Sequence, residues 1–165
     1  RLQNNFDAIS LMPTNLYGPG DNYHAQNSHV MAALIKKFCE ASQNSQNSVT
    51  CWGTGSPYRE FLHVNDLGDA AVNALENWDP NAKNAPLDKN GNPLTILNVG
   101  TGSDISIKDL ANKISRITNF KGKIIWDHSK PDGTPKKMLK INKFLELGWK
   151  PKISLDDGIK ETIKI

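Results

Sequence analysis

A chain of 165 residues is long enough for one compact domain, or for a piece of a larger one, with a real hydrophobic core. Its apolar share of 38% and charged share of 22% exclude a disordered polymer, and no apolar run reaches the length of a membrane span. The net charge of +3 is small, and the lysines (Lys36, Lys37, Lys121, Lys123, Lys136, Lys137) lack interleaved aromatics. Nucleic acid is therefore not an expected partner, whereas a basic crevice for a phosphorylated small molecule is.

In chain order, the first residues Arg1 to Asp7 run directly into Ala8–Met12, with neither an initiator methionine nor a signal-peptide pattern, so the chain reads as cut from something longer. Ala8 to Met12 predicts a buried strand closed by Pro13. Leu16 to Gln26, dense in Gly, Pro, Asp and Asn, predicts a loop. Ser28 can cap a helix with Val30, Met31, Leu34, Ile35 and Phe38 on its apolar stripe, ending near Glu40. The Ser/Gln/Asn tract at 42–48 predicts a surface loop. Short strands are expected at Val49–Trp52 and Glu60–Val64, around a Gly53–Pro57 turn.

Asn65 or Asp66 can cap the next helix, followed by a long polar loop from Asn77 to Pro93. Leu94–Val99 predicts another strand, stopped by Gly100-Thr101-Gly102. Ser106 with Asp109 forms a capping-box-like start for a helix that turns Leu110, Ala111, Ile114 and Ile117 inward. Strands at Lys123–Trp126 and Met138–Ile141, a helix from Asn142 to Gly148 and a last helix opened by Ser154 with Asp157 complete the chain. Alternating strands and helices give an α/β class with parallel pairing.

Several chemistries lack their motifs. Neither G-x-G-x-x-G nor GxxxxGK[ST] is present, and the two G-x-G turns at 53–55 and 100–102 read as ordinary turns. Tyr17, Tyr23 and Tyr58 are followed four residues on by Asp21, Asn27 and Leu62, so no Tyr-x-x-x-Lys pair exists. His24, His29, His63 and His128 lack zinc-helix spacing, and no metal is expected. Cys39 and Cys51 form no C-x-x-C pair and read as reduced structural thiols of a cytoplasmic protein.

Five segments occur in order: Pro13-Thr14-Asn15-Leu16-Tyr17-Gly18-Pro19; Asn27-Ser28-His29-Val30; Trp52-Gly53-Thr54-Gly55-Ser56-Pro57-Tyr58-Arg59-Glu60-Phe61-Leu62-His63-Val64; Asn98-Val99-Gly100-Thr101-Gly102; and Lys130-Pro131-Asp132-Gly133-Thr134-Pro135. The series resembles the C-terminal half of the GDP-L-fucose synthase family, epimerase/reductases of the extended short-chain dehydrogenase/reductase superfamily. The first and third segments are superfamily-wide; Asn-Ser-His-Val and Lys-Pro-Asp-Gly-Thr-Pro narrow the resemblance.

The resemblance implies that residues 1–165 are a substrate-binding portion that includes the last strands and helices of an NADP-binding Rossmann sheet, with the N-terminal Rossmann half outside this chain. It implies conversion of GDP-4-dehydro-6-deoxy-D-mannose to GDP-L-fucose, with C3/C5 epimerisation followed by C4 reduction by NADPH. The intact protein would be a homodimer acting on a GDP-sugar away from membranes, and this portion alone would be inactive.

His29, at an expected helix start, carries an imidazole suited to moving protons, and the resemblance makes it catalytic and adjacent to the nicotinamide. Pro13, Thr14, Asn15 and Leu16 end a strand, where open α/β sheets place ligands; the resemblance gives them the nicotinamide side of NADP. Arg59 presents a rigid fork of donors suited to a diphosphate, with an ion pair to Glu60 as the competing reading. Trp52 offers an indole face, Lys37 replaces an arginine usual at its position, and Asp132 is a turn residue on local grounds. The resemblance assigns all four to the sugar nucleotide, whereas His63 reads as structural. The alternatives are a related nucleotide-sugar epimerase or dehydratase, or a non-catalytic nucleotide-sugar-binding module.

Overall fold

In the computed structural model, the described residues are 4, 8–24, 27–79, 81–83 and 85–164. Most of the opening Arg1–Asp7 stretch, and the 25–26 end of the expected first loop, lie outside them. The elements are β1 (Ser10–Pro13), β2 (Asn15–Tyr17), α1 (Val30–Gln43), β3 (Ser48–Trp52), β4 (Tyr58–Arg59), β5 (Phe61–His63), α2 (Val64–Asn77), β6 (Ile96–Val99), β7 (Ile105–Ser106), α3 (Ile107–Ile117), β8 (Lys123–Asp127), β9 (Lys136–Lys137), α4 (Asn142–Leu145) and α5 (Leu155–Ile163). Three parallel pairs, β1 with β6, β2 with β5 and β3 with β8, bear out the α/β class. A small mixed sheet adds β7, β4 and β9 in that order.

β1 ends at Pro13 as expected, with Pro13 its last paired residue, but the strand begins at Ser10 and is mostly exposed where a buried one was expected. Proline lacks an N–H but keeps its carbonyl, and β1 has β6 as its one sheet neighbour among the described residues, where proline is tolerated. The expected loop from Leu16 instead begins as β2, because the chain changes partner at Thr14: Pro13 pairs with Val99, and Asn15 with Phe61.

The β2–β5 pair then separates two cores. Strand residues alternate faces, so Tyr17 and Phe61 join the core built by α1, β3, α3 and α5. Leu16 and Leu62 join the second core, with Ala70 and Ala74 of α2, Leu97 and Val99 of β6, Phe144 and Trp149.

Helix starts follow local chemistry with two corrections. Ser106 and Ser154 cap α3 and α5 as expected, accepting from the N–H groups of Asp109 and Asp157 at 3.0 and 3.2 Å. The α1 cap is His29 in place of Ser28, and its side chain makes no capping bond. α2 begins earlier than predicted, with His63 as its cap: Nδ1 accepts from the Asn65 N–H at 3.3 Å, while Asp66 turns inward to accept from the N–H groups of Lys152 and Ile153. His63 is 1% exposed and packs edge-on to Tyr17, in keeping with a structural part. α1 runs on to Gln43, past Glu40. The strand expected at Met138–Ile141 is instead the shorter β9, set where Tyr58 and Arg59 of β4 offer it an edge.

The strand expected over Glu60–Val64 is the shorter β5, Phe61–His63; Glu60 separates it from β4 and forms no hydrogen bond or ion pair with Arg59. Fully buried, its Oε1 accepts from the N–H groups of Thr101 and Gly102, each at 2.7 Å, and its Oε2 from the N–H of Leu139 at 2.8 Å. Its main-chain oxygen accepts from Thr14 Oγ1 at 3.2 Å and Asn15 Nδ2 at 2.8 Å.

Gly100 is required by this arrangement, because a Cβ there would collide with Glu60 Oε1. Among the described residues no helix is long and apolar enough to cross a membrane, and no group of three or more His, Cys, Asp or Glu could hold a metal ion. Gly100→Ala should therefore destabilise the protein by about 2 kcal/mol, the range for overpacking a filled interior, read as a lowered urea midpoint; an unchanged midpoint would show that the carboxylate can move aside.

Candidate active site

Two adjoining hollows gather four of the predicted site residues. One, of about 250 Å3, is lined by Ser28, Val30, Ala33, Leu34, Lys37, Cys51, Trp52 and Ile107. The other, of about 170 Å3, is lined by Val30, Trp52, Gly55, Pro57, Arg59, Ile107, Pro131 and Asp132. They share Val30, Trp52 and Ile107, and so form one crevice with the indole common to both parts. A larger hollow of about 460 Å3 touches Arg59 but none of the other predicted residues. Convergence of chemistry, and not size, marks the candidate site.

Trp52 ends β3 with its side chain outward. Alternation along the strand turns Val49 and Cys51 into the core and leaves Trp52 64% exposed. Two ammonium groups approach the ring, Lys37 Nζ at 5.8 Å and Lys130 Nζ at 5.6 Å from its centroid, both within cation–π range. Lys37 stands on α1 off the buried stripe, and its Nζ also donates to the Thr50 carbonyl at 2.9 Å. Burial pushes the Cys51 thiol of this wall upward, against a smaller downward pull from Lys37.

Arg59 donates through Nη1 to the Tyr58 carbonyl at 2.8 Å, which leaves most of its donor fork available to the crevice. Asp132 clasps the preceding turn: Oδ1 accepts from the Thr54 N–H at 2.6 Å and Oδ2 from the Thr54 hydroxyl at 2.7 Å. These bonds, the backbone N–H first, hold its carboxyl below the usual range. Gly53 accommodates the clasp, with φ of 76° and no room for a Cβ against Asp132 Oδ1. Each G-x-G turn thus receives a carboxylate from a distant segment, Asp132 at 53–55 and Glu60 at 100–102. The N–H groups of Thr101 and Gly102 are spent internally, so that second turn is no phosphate cradle.

His29 stands at the start of α1, exposed, next to Ser28 of the crevice wall. Its carbonyl accepts from the Ala33 N–H, leaving the imidazole outside the cap. Pro13, Thr14, Asn15 and Leu16 do not line the crevice. They lie at the partner change between β1 and β2, linked to it through Glu60, the residue that follows Arg59.

Sequence reasoning missed two contributors. Lys130 had a signal in opening the Lys-Pro-Asp-Gly turn beside Asp132. Glu60 had none beyond its adjacency to Arg59, which suggested the wrong partner.

A family model described as the NAD dependent epimerase/dehydratase family matches residues 1–88. The chain is 49% identical to a probable GDP-L-fucose synthase 1 of Oryza sativa subsp. japonica over 99% of its own length and 46% of that protein. It therefore spans about half the length of the curated relatives it matches. A solved GDP-6-OMe-4-keto-L-xylo-heptose reductase from C. jejuni superposes with a TM-score of 0.85 at 33% identity, over 98% of this chain and 54% of that one. A GDP-L-fucose synthetase from Naegleria fowleri bound to NADP gives a TM-score of 0.79 at 28% identity, over 94% and 45%. With more than half of its length matched by that model, and with parallel α/β pairs framing the crevice, the chain belongs to the NAD dependent epimerase/dehydratase family.

Proposed function

We propose that this chain is the sugar-nucleotide-binding half of an NADP-dependent epimerase/reductase that converts GDP-4-dehydro-6-deoxy-D-mannose to GDP-L-fucose. The observation that carries the reading is the crevice in which one exposed indole is met by Lys37, Lys130 and Arg59. An aromatic face can stack a purine, and three cations can neutralise a diphosphate. GDP-L-fucose synthases from Oryza and Escherichia coli, at 49% and 44% identity, support the choice of nucleotide and sugar.

In this reading, Trp52 holds the base, while Arg59 and Lys37 bind the diphosphate. Asp132 fixes the 53–55 turn that shapes the crevice wall. Because both its oxygens are occupied by Thr54, it contributes by position more than by accepting ligand hydroxyls.

The residues at the β1–β2 partner change fit a nicotinamide. Thr14 and Asn15 are braced from one side by the Glu60 carbonyl, and Pro13 is exposed at the carboxyl end of β1, where open α/β sheets receive cofactors. When bound there, NADPH supplies the hydride that reduces the C4 ketone. That ketone acidifies the hydrogens on C3 and C5, and inversion of each centre requires removal of a proton from one face and delivery to the other. His29 is one of the two proton carriers. The second, and the remaining catalytic groups, belong to the half that the relatives carry and this chain does not.

A second reading, reduction of a related GDP-4-keto sugar, is favoured by the likeness to the GDP-heptose reductase of C. jejuni.

Calorimetric titration with GDP tests the crevice. Trp52→Ala and Arg59→Lys should each weaken binding about tenfold or more, the scale of a lost stack or a lost bidentate pair; unchanged affinity in both would overturn the assignment. In the full-length protein, His29→Gln should keep GDP affinity yet cut deuterium exchange at C3 and C5 by about 100-fold or more, the usual worth of a positioned acid–base group. Normal exchange in that variant would remove His29 from the mechanism, and absence of exchange in the parent would favour the second reading.

The Asp132 clasp carries a pH signature. A carboxyl depressed in the folded state contributes stability that is complete above its unfolded value of about 3.9 and disappears as pH falls through the lower folded value. Carboxyl-carbon NMR should show Asp132 titrating below that value, with Thr54→Val, which removes the hydroxyl but keeps the backbone N–H, raising the midpoint only part of the way; a midpoint at the ordinary value in the parent would refute the clasp.

A further inference from the structure

Resting on the functional reading above, we infer that Glu60 is a positioning residue that couples the cofactor segment to the sugar-nucleotide crevice, making occupancy of one site raise affinity at the other. Its main-chain oxygen holds the hydroxyl of Thr14 and the amide of Asn15, the residues at which the chain passes from β1 to β2. Its Oε1 holds Thr101 and Gly102, immediately beyond β6, the partner of β1.

Its Oε2 holds Leu139, just past β9, the strand that follows the 130–135 segment bearing Lys130 and Asp132. β9 in turn pairs with Arg59 through Lys137. One buried residue thus fixes the relative position of the β1–β6 sheet, where the cofactor segment ends, and the β7–β4–β9 sheet, which carries a wall of the crevice.

A displacement of either sheet must be accommodated at this carboxylate. Its three N–H donors come from segments far apart in sequence, and a fully buried carboxylate has no water with which to replace a lost donor. Ordering the Thr14–Asn15 segment around a cofactor therefore also orders Arg59 and the 130–135 segment for a nucleotide, and the converse follows from linkage.

The test is the dissociation constant for GDP in the full-length protein, with and without saturating NADP+, in the parent and in Glu60→Gln. Expected is a tightening of about fivefold or more by NADP+ in the parent, at the lower edge of ordinary coupling, and a ratio within about twofold in Glu60→Gln. A role confined to stability would lower the melting temperature of the variant and leave that ratio as it was.

Leu139→Pro deletes one donor to Oε2 with the carboxylate intact, and it should reduce the ratio too, which keeps the test decisive should Glu60→Gln fail to fold. Binding of both ligands by the parent with no effect of one on the other, or a ratio that survives in the folded variant, would overturn the coupling and leave the functional reading standing. Failure of the parent to bind either ligand would overturn both.

Discussion

A carboxylate removed from water must find its hydrogen-bond donors in the protein, and the fold is arranged around the donors that Glu60 finds. Three are backbone N–H groups from residues 101, 102 and 139, at 2.7 to 2.8 Å. Charge-assisted bonds of this kind are about twice as strong as neutral ones, and breaking one in a buried site leaves a group with no substitute partner. The constraint reaches into composition as well as topology, since Gly100 must lack a side chain for the carboxylate to sit where it does.

The partition into two cores follows from the same region. β2 and β5 are each only three residues long, yet they present Tyr17 and Phe61 to one core and Leu16 and Leu62 to the other. A three-residue strand has little pairing energy of its own, so its register is set by which side chains each core admits. The partner change at Thr14 opens a gap between β1 and β2, and the main-chain oxygen of Glu60 closes it through Thr14 and Asn15. The crevice lies on the side of the molecule where β3 ends, bounded by the 53–55 turn that Asp132 clasps.

Much of this was legible in the chain itself. Ser106 with Asp109 and Ser154 with Asp157 act as read, because a capping box is closed by residues three apart and needs nothing distant. The apolar stripe of α1 and the alternation in β3 likewise carry their burial in their spacing. Where local chemistry offered two similar candidates, tertiary contacts decided. Asn65 and Asp66 both gave way to His63 as the cap of α2, with the oxygens of Asp66 accepting instead from Lys152 and Ile153, far along the chain. β9 lies at Lys136–Lys137 because β4 is there to pair with it, a fact no window around Met138–Ile141 contains.

Sequence by itself determined the α/β class, the helix-forming stripes and the residue types that gather in the crevice, because each of these is encoded in local spacing or in motifs tens of residues long. Only the tertiary structure decided that Lys37, Trp52, Arg59 and Asp132 meet, that Lys130 joins them, and that Glu60 turns away from Arg59 toward three backbone amides. The physical reason is that a buried charge is satisfied by whatever donors the assembled fold brings within reach, and those donors lie 41 to 79 residues from Glu60 along the chain.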